Sequence, residues 1–398
     1  MQITVLCKVV DNFGDIGVVY RLSKQLKKIN PQNQINLVTD NLESFQKICS
    51  SVQCGLPVQE VEGLKVFDWN ADEVCHEAFS RDDGALMPVI LECFQCGRPE
   101  WMERILFEEK LERTVHIIMI DYLTAEKYAE DFHCLQSLTR SAKVQKVNFM
   151  PGFTEKTGGL VIEDEWCEVP VRKADGPVLV FTYEKDWTEL VQGWLSAREA
   201  SVSKPPYEPK LLVAQGRGKE SFMQAVRTVV ECSRSECIET TFIEELPYLN
   251  QTEWDKVMKG CSALVIRGEE SMSRACLSGI PFIWHAYPQS DEYQLVKVRA
   301  LLERMRRYFE PEDFEIVESA WLEINNSMSL SGSTGQSAQD CDVQIPGSSP
   351  GMTENPYFGF FSAADRLAPS FYDFASSLRK NGDLAANLMT YIEKLAII

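Results

Sequence analysis

Short apolar runs separated by longer amphipathic stretches recur along most of the chain. Residues 3–10 read as a strand, and residues 18–28 as a helix with Leu22, Leu26 and Ile29 near one face. Lysines end that helix and Asn30-Pro31 stops it. Residues 35–38 form a second strand, and the runs 64–67, 89–91 and 115–120 alternate with helical patterns. The pattern predicts an α/β protein with a mostly parallel sheet.

The pattern lapses at residues 150–159, MPGFTEKTGG, which hold turn residues and no periodicity. A new series then begins: a strand at 177–183, a helix at 187–195, a strand at 210–214 and the loop Gln215-Gly216-Arg217-Gly218. Two such halves predict two Rossmann-like domains facing a cleft, with ligands beyond the carboxyl ends of the strands. The expected division is a first domain over 1–155, a linker over 156–176, a second domain over 177–368 and closing helices over 369–398. Residues 326–352 are rich in Ser, Gly and Gln and read as an insertion loop. Leu384, Leu388, Ile392 and Leu395 mark a final helix packed on one of the domains.

The most informative stretch is 263–289, ALVIRGEESMSRACLSGIPFIWHAYPQ. It reads as strand, glycine turn, helix and strand, with Ser271 as the N-cap and Ser278-Gly279 as the stop. Free N–H groups at such a helix start suit a phosphate, with Arg267 as a second cationic contact. An ordinary βαβ crossover with solvated charges accounts for the same letters.

Composition narrows the partners. Among 398 residues, 59 are acidic and 40 basic, and the formal charge of −19 argues against nucleic acid or an anionic membrane as main partner. The N-terminus enters a strand-like run directly, with no apolar stretch of membrane-spanning length, and a cytoplasmic setting is expected. The 13 scattered cysteines fit reduced thiols, and Cys93-Phe94-Gln95-Cys96 reads as two packed thiols rather than a metal or redox site.

Candidate chemistry lies in both halves. The loop from Asp11 to Gly17 sets Asp11 and Asp15 about a glycine, where they could hold a guanidinium or remove a proton. Asp15 could equally cap the following helix. In the second half, Phe181, Tyr183, Tyr248 and Trp254 stand where a base could stack, and Gln251 could read a base edge or hold a phosphate. Tyr287 adds a phenol after the last strand, and His285 reads as a packing residue. Taken singly, each of these residues is more expected in a core than around a ligand. The sequence holds no metal-ligand spacing and no nucleophile elbow with triad partners.

Three motifs in order go further: Asp11-Asn12-Phe13-Gly14-Asp15-Ile16-Gly17 with Arg21-Leu22, Pro151-Gly152-Phe153-Thr154 with Thr157-Gly158-Gly159, and Arg267-Gly268-Glu269-Glu270-Ser271 followed by the run from Pro281 to Gln289. Over nearly its whole length the chain resembles the bacterial protein-arginine rhamnosyltransferases that modify translation elongation factor P. The resemblance implies an inverting, metal-independent glycosyltransferase of the GT-B fold. Its donor would be dTDP-β-L-rhamnose, with no cofactor, and its acceptor a guanidinium nitrogen of one arginine on the factor. It implies that the first domain docks the protein and the second holds the nucleotide sugar. Asp11, Asp15 and Glu269 match the family's essential carboxylates. Arg267, Glu270, Ser271, Gln251 and Tyr287 match its diphosphate and sugar contacts, and Phe181, Tyr183, Tyr248 and Trp254 its thymine cage. Glu270 stands where aspartate is expected, and Tyr248 and Trp254 stand where phenylalanine is commoner. Two rivals share the patterns: a GT-B enzyme with another donor or a small acceptor, and a non-catalytic nucleotide-sugar binder.

Overall fold

The computed structural model describes residues 1–10, 13–80, 89–201, 210–232, 242–326 and 355–395. They form two compact units, one of residues 1–168 and 377–398 and the other of residues 169–376. The first boundary falls inside the stretch 156–176 expected as a linker.

Unit 1 opens with β1 (Gln2–Cys7), α1 (Gly14–Ile29), β2 (Gln34–Thr39), α2 (Leu42–Ile48), β3 (Val58–Val61) and β4 (Leu64–Asp68). It continues with α3 (Asp72–Ser80), β5 (Val89–Cys93), α4 (Glu100–Phe107), β6 (Val115–Ile120), α5 (Tyr128–Phe132), β7 (Gln136–Ser137) and β8 (Val144–Phe149). The sheet order is β3-β4-β2-β1-β5-β6-β8-β7. Its six inner strands are parallel, and β3 and β7 are antiparallel edges. Both faces are covered, which is why the strands read as unbroken apolar runs. Ile3 and Val5 pack with Ile16, Val19, Leu22 and Leu26 of α1. On the other face Leu6, Val38, Phe67 and Ile90 pack with Phe79, Trp101 and Ile105.

Unit 2 runs through β9 (Val178–Val180), α6 (Thr188–Ser201), β10 (Leu211–Ala214), α7 (Lys219–Cys232), β11 (Ile243–Leu246) and α8 (Gln251–Lys259). Next come β12 (Ala263–Arg267), α9 (Glu269–Ser278), β13 (Phe282–His285), α10 (Tyr293–Arg306), α11 (Pro311–Asn325) and α12 (Pro356–Leu378). Its sheet, β11-β10-β9-β12-β13, is parallel throughout. The insertion read at 326–352 falls almost wholly outside the described residues.

The chain then returns to unit 1. In α13 (Leu384–Leu395), Leu384, Leu388 and Ile392 enter the same core as α1, each contributing about 1.5–3 kcal/mol by burial. Asp383 anchors that return: its carboxylate accepts the N–H groups of Ile162 (2.8 Å) and Ala386 (3.0 Å) and a bond from Gln25 (3.4 Å). Residues 160–162 are thus packed, not free linker, with Leu384 N–H on Leu160 O at 2.7 Å.

Three local expectations are corrected. The first strand ends at Cys7, not residue 10, because Val9 N–H donates to Asp40 (2.8 Å) and Val10 N–H to Asp15 (2.7 Å). The first helix begins at Gly14, so Asp15 lies inside its first turn and does not cap it. The helix after Arg267 begins at Glu269, so Ser271 is its third residue and Gly268 occupies the cap position.

Replacing Asp383 by Ala takes the acceptor from the N–H of buried Ile162 and the cap from the start of α13, and should cost unit 1 about 2–3 kcal/mol. Urea unfolding checks this through a lowered midpoint.

Candidate functional site

In each sheet the strand order reverses beside the strand that opens the unit: β1 lies against β5, and β9 against β12. At such switch points the loops leave to opposite sides and open a crevice at the strands' carboxyl ends. Asp15 follows β1, Phe181 and Tyr183 follow β9, and Arg267 ends β12, all at those points, whereas Tyr248, Gln251 and Trp254 follow β11 and Tyr287 follows β13.

In unit 1, Asp15 follows β1 and is almost fully buried (3% exposed). It accepts Val10 N–H at 2.7 Å and the Tyr122 hydroxyl at 3.3 Å. Tyr122 follows β6, and its ring stacks on Phe94 at 4.5 Å and 17°. Phe94 and Gln95 both take left-handed backbone conformations, with φ of 56° and 53°. Each costs roughly 1–2 kcal/mol, because Cβ crowds the carbonyl there. The Cys-x-x-Cys stretch is therefore a strained turn that sets Phe94 under Tyr122. Burial pushes the Cys96 thiol up to about 12 and raises that of Cys93 as well, so both stay protonated. Asp11 lies outside the described residues.

In unit 2, Arg267 ends β12 with its guanidinium over two rings, 4.4 Å from Phe181 and 4.6 Å from Tyr183. Both aromatics follow β9, and such contacts hold a cation in place before any ligand arrives. Trp254, on α8, meets Phe181 edge-on at 5.0 Å. The capping box of Asn250 and Glu253 fixes the start of α8, where Gln251 is the first residue. Tyr248 is exposed (57%) on the loop leading into it. Tyr287, half exposed after β13, meets Tyr183 edge-on at 5.3 Å. Ring contacts thus join Phe181, Tyr183, Trp254, Arg267 and Tyr287, and Glu269, Glu270 and Ser271 form the first turn of α9 beyond Arg267.

Gly268 makes that turn with φ 75° and ψ 161°, a region essentially closed to side chains. Gly268, in the cap position, gives α9 no side-chain hydrogen bond, and a helix start of this kind suits an anion. The Gln215–Gly218 loop contributes by lacking bulk. A Cβ on Gly216 would come within 3.0 Å of Phe181 and 3.3 Å of Arg267, and one on Gly218 would overlap the carbonyls of Thr182 and Tyr183.

His285, read from the sequence as a packing residue, is buried (3% exposed), accepts Tyr183 N–H at Nδ1 (3.3 Å) and meets the rings of Tyr183 and Trp187. Sequence reasoning missed two participants, Tyr122 and Lys297. Tyr122 orients Asp15. Lys297, on α10, pairs with Glu269 at 3.5 Å. No spacing in the sequence links Lys297 to Glu269 or Tyr122 to Asp15, since the sheets bring them together.

A family model described as elongation factor P (EF-P) rhamnosyltransferase EarP matches residues 3–174 and 167–393. A protein-arginine rhamnosyltransferase of Pseudomonas aeruginosa is 29% identical over 353 residues, covering 82% of this chain and 88% of the other. One from Shewanella oneidensis is 28% identical over 353 residues, covering 82% and 85%. A solved structure described as the structural basis for EarP-mediated arginine glycosylation of translation elongation factor EF-P matches with a TM-score of 0.54 at 16% identity, over 99% of each chain. That last likeness is one of fold. Two Rossmann-like units are the make-up of the GT-B glycosyltransferases.

Burial, then the charges of Lys185 and Arg267, push the His285 pKa down from its ordinary 6.5 to about 3. The unfolded chain therefore binds a proton below pH 6.5 that the folded one refuses until about 3. Its contribution to stability is complete above that window and falls by about 1.4 kcal/mol per pH unit as the solution is acidified through it. A His285→Gln variant should show a stability-against-pH slope shallower by one proton over that range, and an unchanged slope would contradict the assignment.

Proposed function

The chain belongs to the EarP family of elongation factor P (EF-P) rhamnosyltransferases, and from that membership we propose that it moves L-rhamnose from dTDP-β-L-rhamnose to a guanidinium nitrogen of one arginine on that factor. The observation that carries the proposal is the chemistry at the two switch points. Unit 1 offers a carboxylate oriented by Val10 N–H and Tyr122, and unit 2 offers a cation braced between two rings beside the glycine-led start of α9.

A guanidinium is a poor nucleophile because its lone pairs are delocalised and its charge persists at ordinary pH. Asp15, with Asp11, accepts charge-assisted hydrogen bonds from it and turns one nitrogen out of conjugation. As the new N–C1 bond forms, the nitrogen's proton passes to Asp15. The C1–O bond to the diphosphate breaks, and its electron pair leaves on the phosphate oxygen. Attack opposite the leaving group inverts the anomeric centre. Arg267 and the N–H groups of α9 take the departing charge, the service a metal gives elsewhere, so the reaction is metal-independent. Phe181, Tyr183, Tyr248 and Trp254 hold the base. Gln251, Glu270, Ser271 and Tyr287 hold the sugar and diphosphate, while Glu269 orients a substrate. No helix among the described residues is long and apolar enough to cross a membrane. Reaction in the cytoplasm, where the factor serves translation, completes the proposal.

The test measures dTDP release from dTDP-rhamnose in the presence of elongation factor P. Asp15→Asn keeps the shape and removes the base, so kcat should fall by about 10²–10⁴ while dTDP-rhamnose binds as before. Near-normal turnover would remove Asp15 from that role, and preference for another nucleotide sugar would replace the donor.

A further inference from the structure

The head of α9 presents an electrostatic problem. A diphosphate is to bind at the Arg267–Gly268 turn, yet the next two residues are Glu269 and Glu270. Carboxylates suit a helix start on their own account, because the macrodipole favours them there. With an anionic ligand at the same spot they become like charges at short range, and a cation that pairs with either carboxylate eases its binding.

Lys297 is such a cation. Its ammonium lies 3.5 Å from the Glu269 carboxylate, and the two side chains are about equally accessible, at 25% and 26%. The helix that carries it is fixed to the rim of the same site. Gln294 of α10 is buried, accepts Gln289 N–H (3.1 Å) and donates to Asn325 O (3.4 Å). Asn325 in turn accepts Ala286 N–H (2.9 Å), next to Tyr287. The lysine therefore keeps its place relative to the β13 loop.

We propose that Lys297 is a positioning residue of the donor site, which neutralises and pins Glu269 so that a nucleoside diphosphate can bind beside it. The inference rests on the reading of unit 2 as the donor site. It assigns Lys297 no direct contact with phosphate, and that separates it from the alternatives. A lysine that itself grips the diphosphate, or one that merely supports the fold, leaves a loss no second substitution at Glu269 can repair. A lysine that masks a carboxylate leaves a loss that vanishes with the carboxylate.

The experiment is a double-variant cycle read by calorimetry with dTDP. Lys297→Met should weaken dTDP binding about tenfold, less at high salt because the exposed charges are screened. Lys297→Arg should restore it. Lys297→Met combined with Glu269→Gln should bind dTDP about as tightly as Glu269→Gln alone, while turnover stays low in both. A full loss persisting in the double variant would overturn the proposal, as would unchanged binding in Lys297→Met. Inorganic pyrophosphate, run in parallel, separates this result from the donor assignment. If pyrophosphate follows the cycle and dTDP does not bind, the positioning role stands and the thymidine reading falls. If neither binds the wild-type protein, both fall.

Discussion

One backbone conformation governs the second unit. At Gly268 the chain passes from β12 to α9 with φ 75° and ψ 161°, which no side chain accepts without strain. Because the turn takes a single residue, the helix begins at once, with no room for a capping side chain. Arg267 is held at the last position of the strand. The same brevity crowds Glu269 and Glu270 onto the helix head, which makes a compensating cation on α10 intelligible.

The two units use one topology for opposite charges. In each, a parallel sheet reverses its strand order beside the opening strand, and the loops at that point carry the chemistry. Unit 1 places a buried carboxylate there and braces it through Tyr122, Phe94 and a strained turn. Unit 2 places a guanidinium there and braces it with aromatic faces, while Gly216 and Gly218 let the neighbouring loop close in. In each unit a few charged groups are thus held by packing at that unit's own switch point.

Much of the fold was legible because strands buried on both faces leave continuous apolar runs. The strands near residues 35–38, 64–67, 115–120 and 263–266 fall on observed strands. Ends were less legible, since they depend on partners distant in sequence. Val9 and Val10 look like strand, yet their N–H groups go to Asp40 and Asp15. Asp15 and Ser271 look like caps, but the glycines before them start the helices early. Asp15, Arg267, Glu269, Glu270, Ser271 and Tyr287 stood in motifs, as did His285, whereas the supports Tyr122 and Lys297 did not. Tyr122 reaches Asp15 across 107 positions, and His285 reaches Tyr183 across 102. Glu269 and Lys297 share no helix, and only the packed fold makes them a pair.

The most direct measurement is the intact mass of elongation factor P after incubation with this protein and dTDP-rhamnose, followed by fragmentation to locate the change. The account predicts one added deoxyhexose, on a single arginine side chain. An unmodified factor, or a sugar on any other side chain, would contradict it.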